Sequence, residues 1–159
     1  MCKASFLSLA LCSLPLVATA QQNGSDSGDK STSSGPFVIE DAAWSDSVER
    51  GLSVHDLEAS GAAVQLVCDP DRVFGPKSNG SFAVALPSGA QPTQIVVLAQ
   101  NGEQAALQLT ENRAAQMDTN PDQWSALVAI LQENTEFAVV SSDDAVTWQV
   151  EAPISGPCE

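Results

Sequence analysis

Two cysteines constrain this chain more than any other feature. Cysteine occurs at positions 2, 12, 68 and 158. The first two fall within residues 1–20, which read as a secretory leader: Lys3 supplies a short positive start, Phe6 to Val17 an apolar run, and Ala18-Thr19-Ala20 a small-x-small cleavage signal. Leu11 precedes Cys12 where a lipoprotein signal carries a small residue, so lipidation is not expected. An even pair then remains in an exported chain, and an oxidising compartment turns such a pair into a disulfide. Cys68 ends the apolar stretch AAVQLVCD, which reads as a buried strand, and Cys158 is next to the last residue. Their pairing would sew the chain's end onto a central strand and close everything between into one loop.

Residues 21–36, QQNGSDSGDKSTSSGP, hold almost nothing apolar and cannot offset their ordering entropy, so a disordered linker is expected. Residues 37–159 are long enough for one domain with its own core. The leader is too short for a comfortable membrane span, and none is expected once it is cleaved. Asn23-Gly24-Ser25 and Asn79-Gly80-Ser81 fit the N-glycosylation pattern, which matters only in a host that glycosylates.

Within the domain the periodicity is mostly that of strands. Phe37-Val38-Ile39 and residues 42–49 read as short strands, residues 52–59 as strand or loop, and Ala62–Cys68 as a strand with Val64, Leu66 and Cys68 on one face. Residues 69–80, DPDRVFGPKSNG, form a long loop, followed by a strand at 81–86. Asn101-Gly102 predicts a two-residue type I′ turn. That register sets Val96, Leu98, Ala105, Leu107 and Leu109 on the core face and leaves Ile95, Val97 and Ala106 outside. Residues 111–119 look irregular. Asn120-Pro121-Asp122-Gln123 then starts a helix, with Asn as N-cap, Pro at the first position and Gln at the capping-box position. Trp124, Leu127, Val128 and Leu131 make its apolar face. A hairpin at 136–140 and 145–151 completes the set. The expected fold is mainly β, an antiparallel sandwich or barrel-like domain with one short amphipathic helix at 121–133.

The formal net charge of −14 disfavours nucleic acid and anionic membrane as partners, since both select basic surface. No catalytic, cofactor or metal residues are expected. His55, in His55-Asp56-Leu57-Glu58, is the only histidine; it reads as a general base held by a carboxylate or, with more weight, as a polar residue on a half-exposed strand or loop. One histidine and a disulfide leave too few ligands for zinc. Asp118-Thr119-Asn120-Pro121-Asp122 opens like a calcium loop, but Gln123 stands where the turn glycine belongs and Ala129 where the bidentate Glu belongs. Asp69-Pro70-Asp71 is weaker still as a calcium site. Twenty acids offer many carboxylate pairs for glycoside hydrolysis and single out none.

The leader, a strand ending Leu66-Val67-Cys68, a late Leu/Val segment before an aromatic strand, and a C-terminal cysteine resemble two sets of small exported bacterial β-proteins. These are the invasion-associated locus B group and the type VI secretion-associated accessory proteins. The resemblance rests on pattern and spacing over residues 62–158 and implies an accessory role without catalytic residues. The expected function is therefore an exported, periplasmic or extracellular, non-enzymatic binding or accessory domain acting through protein or envelope contacts. The alternatives are a small carboxylate-based hydrolase and a structural envelope component. The contact surface is expected on the sheet face bearing Ile95 and Val97 or on the 69–80 loop, through Arg72, Val73, Phe74 and Lys77; the loop is the better candidate, because helix 121–133 is expected to cover that face through Trp124, Leu127 and Leu131.

Overall fold

A computed structural model describes residues 37–158. The expected leader and linker lie outside the described residues. Ten strands form two five-stranded sheets. In chain order they are β1 (Phe37–Ala42), β2 (Ser45–Glu49), β3 (Leu52–Ala59), β4 (Ala62–Cys68), β5 (Ser81–Ala85), β6 (Gln94–Ala99), β7 (Gln104–Gln108), β8 (Arg113–Ala115), β9 (Glu136–Val140) and β10 (Ala145–Val150). A single 3-10 turn, Gln116–Asp118, and one helix, α1 (Pro121–Glu133), lie between β8 and β9. The first sheet runs β1-β10-β9-β6-β7 and the second β2-β3-β4-β5-β8. All neighbours are antiparallel except β1, which pairs with β10 in parallel. The domain is sandwich-like, and its sheets do not close into a barrel.

Period-2 patterning fills the space between the sheets. Leu57, Val64, Leu66, Phe82 and Val84 of the second sheet are buried in one core with Ile95, Val97, Ala105, Leu107, Phe137, Val139 and Trp148 of the first. Trp44 links β1 to β2 where the chain steps from one sheet to the other. Its ring stacks on Phe137 at 6.1 Å, and Phe137 stacks on Trp148 at 6.5 Å.

The hairpin β6–β7 corrects the predicted register. Val97 pairs with Ala105 and Ile95 with Leu107, a slip of one residue from a two-residue turn at Asn101-Gly102. The loop instead holds Gln100, Asn101 and Gly102: Ala99 N–H donates to Glu103 O, Gly102 N–H to Ala99 O, and only Gly102 takes positive φ. This is the three-residue loop with glycine at the left-handed position. Asn101 spends its side-chain oxygen on Glu103 N–H at 2.9 Å. A one-residue slip exchanges faces, so Ile95 and Val97 are core and Val96 and Leu98 lie on the other side. The expected contact surface at Ile95 and Val97 therefore does not exist. True two-residue turns join β2 to β3 at Arg50-Gly51 and β3 to β4 at Ser60-Gly61, with positive φ at all four residues.

Helix α1 begins as the sequence predicts. Asn120 accepts hydrogen bonds from Asp122 N–H at 2.8 Å and Gln123 N–H at 3.4 Å, and Asn134 ends the helix. Gln123 does not complete a capping box. Its Oε1 accepts the Ala106 N–H of edge strand β7 at 2.6 Å, so the helix blunts that edge. Trp124, Leu127, Val128, Ile130 and Leu131 are buried; Ile130 widens the expected stripe. Residues 111–119 are less irregular than expected, since they contain β8 and the 3-10 turn. No described helix is long and apolar enough to cross a membrane.

Candidate contact groove and the polar clusters behind it

Cys68, the last residue of β4, and Asp69, the next residue, organise opposite sides of the second sheet. Cys68 shares the core face with Leu66 and is bonded to Cys158, with Cα atoms 5.0 Å apart. The expected disulfide is thus present, between strand and irregular tail. Asp69 anchors the 69–80 loop. Its Oδ1 accepts Val73 N–H at 2.9 Å, and its Oδ2 accepts Asn79 N–H at 3.0 Å and the Asn79 side-chain amide at 2.8 Å. The Asn79 side-chain bond, resisted by burial but reinforced by backbone donors, holds the Asp69 carboxyl below its ordinary value. The carboxylate read as a weak calcium candidate is a loop clamp.

The clamped loop lies over the outer face of the second sheet. Val73 rests on the β2–β3 turn, where a Cβ on Gly51 would meet Val73 Cγ1 at 3.0 Å. Only glycine suits that position, because it combines a φ of +87° with this close approach. At the loop's other end Gly80 O accepts Gln116 N–H, and a Cβ on Gly80 would collide with Gln116 Oε1. Ser78 Oγ donates to that same oxygen.

Between loop and sheet runs a groove of about 440 Å³. Leu52, Val54 and Val67 form its apolar floor, Phe74 a wall, and Arg50, Arg113 and one acid, Glu49, line it. Arg113 reaches across from β8 and donates to Ser81 Oγ at 2.7 Å. Phe74 is 59% exposed, a large apolar surface for an aromatic side chain. Arg72 and Lys77 are exposed on the same loop. Residues 37–158 contain four Lys or Arg, namely Arg50, Arg72, Lys77 and Arg113, and each belongs to the groove or to the loop that forms its wall. A larger depression on this sheet, about 650 Å³, carries Asp56 and Glu58 and no cation or aromatic.

Of the sequence-predicted contact residues, Phe74 lines the groove, Val73 holds the loop down, and Arg72 and Lys77 sit on the loop without lining the groove. Arg50 and Arg113 were missed; Gly51 marks a turn at Arg50, but only the β2–β3 and β3–β4 pairing brings that turn to the loop.

His55 lies behind the groove, on the opposite face of β3. It is buried rather than half exposed, and its partner is Asp46 of β2, not Asp56 or Glu58. Nδ1 is 2.7 Å from Asp46 Oδ1, while Nε2 is buried with no hydrogen-bond partner among the described residues. One donor atom each from His55, Cys68 and Cys158 lie within 4.8 Å of one another.

No family model matches this chain, and neither a curated protein nor a solved structure matches it.

Proposed function

We propose that this is an exported, non-enzymatic binding domain, and that its contact surface is the groove beneath the 69–80 loop. The observation that carries the reading is the segregation of charge: on a chain of net charge −14, the cations of residues 37–158 gather around one apolar floor with an exposed phenylalanine. An acidic, partly apolar segment of a partner protein fits this chemistry. The floor supplies apolar burial, the cations supply steering, and the acidic remainder of the surface repels such a segment everywhere else. The leader-like first 20 residues and the disulfide support export. Burial of the one imidazole on the far face of β3 supports a role that is not catalytic.

Cross-linked pull-down from the exporting cell tests this. Wild type is compared with an Arg50→Glu, Arg72→Glu, Phe74→Ser variant and with Val48→Ser, a control on the exposed edge strand β2. The triple variant is expected to lose partner recovery by roughly tenfold or more, since an aromatic anchor alone commonly contributes over 1 kcal/mol. Raised salt should weaken recovery by wild type. Equal recovery by a folded triple variant removes the groove from the function.

A further inference from the structure

His55, Cys68 and Cys158 are the only described cluster in which imidazole and sulfur donors converge, and all three side chains are buried. Asp46 Oδ1 lies 2.7 Å from His55 Nδ1, so that nitrogen carries the proton it donates and Nε2 is the ring atom left to act as a ligand. Nε2 is buried with no hydrogen-bond partner among the described residues, and the ring it belongs to has a ligand atom within 4.8 Å of both sulfurs. A buried acceptor without a donor is costly to the fold. As a metal ligand it has a use.

We propose that in the dithiol state Cys68, Cys158 and His55 form a Zn²⁺ site, and that the disulfide is its closed, metal-excluding state. A dithiol reductant opens it. Two electrons pass to the sulfur–sulfur bond, the reductant becomes its own disulfide, and its two protons leave Cys68 and Cys158 as thiols. Binding Zn²⁺ then releases both protons, because the ligands are thiolates. Two thiolates and one neutral imidazole are borderline-soft donors of the kind zinc takes, with a fourth position left for water. Asp46 supplies the carboxylate behind the ligating histidine that such sites use to fix the tautomer and strengthen the ligand. Its side chain is 50% exposed, so the cluster borders solvent.

Geometry permits the exchange. Two thiolates each about 2.3 Å from a metal must part from bonding distance. Cys68 is fixed at the end of β4, but Cys158 lies on a tail outside any strand or helix. The tail is held at Ile154, whose N–H donates to Leu131 O, and turns at Gly156, whose φ is +106°. Gly156 O also accepts the Gln132 side-chain amide at 2.9 Å, so any shift of Cys158 falls on the two residues beyond that anchor and leaves the sheet hydrogen bonds in place.

Cobalt titration of the purified chain, oxidised and after phosphine reduction, tests the site, with near-ultraviolet circular dichroism of the tryptophans read in parallel. The reduced chain is expected to bind one Co²⁺ with thiolate charge-transfer and tetrahedral d–d bands, displaced by Zn²⁺, while the oxidised chain shows neither band. His55→Ala should weaken binding by at least about tenfold and Asp46→Ala by about 10–100-fold, the latter with the bands retained. Equal binding by the oxidised chain would overturn the proposal, as would unchanged affinity in His55→Ala. So would a reduced chain that loses its tryptophan signal and does not regain it with Zn²⁺.

Discussion

Cys68 and Asp69 are consecutive, yet the two sides of β4 treat buried polarity in opposite ways. On the groove side, both oxygens of Asp69 accept hydrogen bonds, from Val73 and from Asn79, and a twelve-residue loop is pinned in place. On the core side, His55 reaches one partner through Nδ1, its Nε2 has none among the described residues, and the ring lies close to the disulfide. A saturated carboxylate converts its desolvation into local order. A half-satisfied imidazole costs stability and is held in place by what surrounds it. The first cluster builds a surface, and the second holds a half-satisfied imidazole close to the disulfide inside the core.

The largest effect should come from cutting the covalent link on the core side. Cys68 and Cys158 are separated by 90 residues, and closing a loop of that size stabilises a fold by about 4–5 kcal/mol on the chain-entropy model. Cys158→Ser is expected to lose most of that, read as a drop in the denaturant midpoint with an altered slope as the unfolded chain expands. Intact mass of the exported protein should show no free thiol. If Cys158→Ser costs under about 1 kcal/mol, the bond does not restrain the unfolded chain as a loop of this length requires.

The same two sides show what sequence reading reaches. The disulfide, the helix start at Asn120 and the strands around Leu66 and Trp148 were legible because each is a local pattern or a count. The hairpin register was not. Asn-Gly favours a two-residue turn locally, but the tertiary preference for burying Ile95, Val97, Ala105 and Leu107 together selected the three-residue alternative. The parallel β1–β10 pair joins the domain's first strand to its last, and no local signal could announce it. Phe74 of the groove and Arg72 of the loop above it were legible as apolar and basic residues on a long loop. Arg113 was not, because its reach to Ser81 depends on β8 pairing with β5. His55 was visible only as a lone histidine, since its partner Asp46 is set opposite it by the β2–β3 register.

A smaller and more local effect should follow from Asp69→Asn. The new amide offers one oxygen and turns an NH₂ toward donors, so the clamp loses acceptors while the sandwich keeps its core. The melting temperature should move little, but amide exchange at Val73 and Asn79 should quicken by roughly tenfold or more. Acid should do the same to wild type. Asp69's carboxyl is held below its ordinary value of 3.8 in the fold, so the stability it contributes is full above that value and is lost as pH falls through the lowered one. Protection of the two amides should therefore persist at about pH 5 and fail in stronger acid. Protection that survives unchanged to about pH 2 in wild type would show that the carboxylate is not the clamp.

The smallest effect should be at His55, and its smallness is the informative part. His55→Leu removes the Asp46 hydrogen bond, a net contribution of about 0.5–1.5 kcal/mol. It also removes the bare Nε2, whose desolvation costs about 1–3 kcal/mol. Asp46 is half exposed and can return to water, so no charge is stranded. Leucine meanwhile adds apolar contact to a face already lined by Leu57 and Leu66. These terms nearly cancel, and chemical denaturation of the oxidised protein should find a change within about 1 kcal/mol of either sign. His55→Leu should then separate the two clusters: near-neutral for the oxidised fold, yet unable to hold metal once the sulfurs are reduced. A loss of about 3 kcal/mol or more would mean that the imidazole is a fully satisfied structural group, and the contrast with Asp69 would collapse.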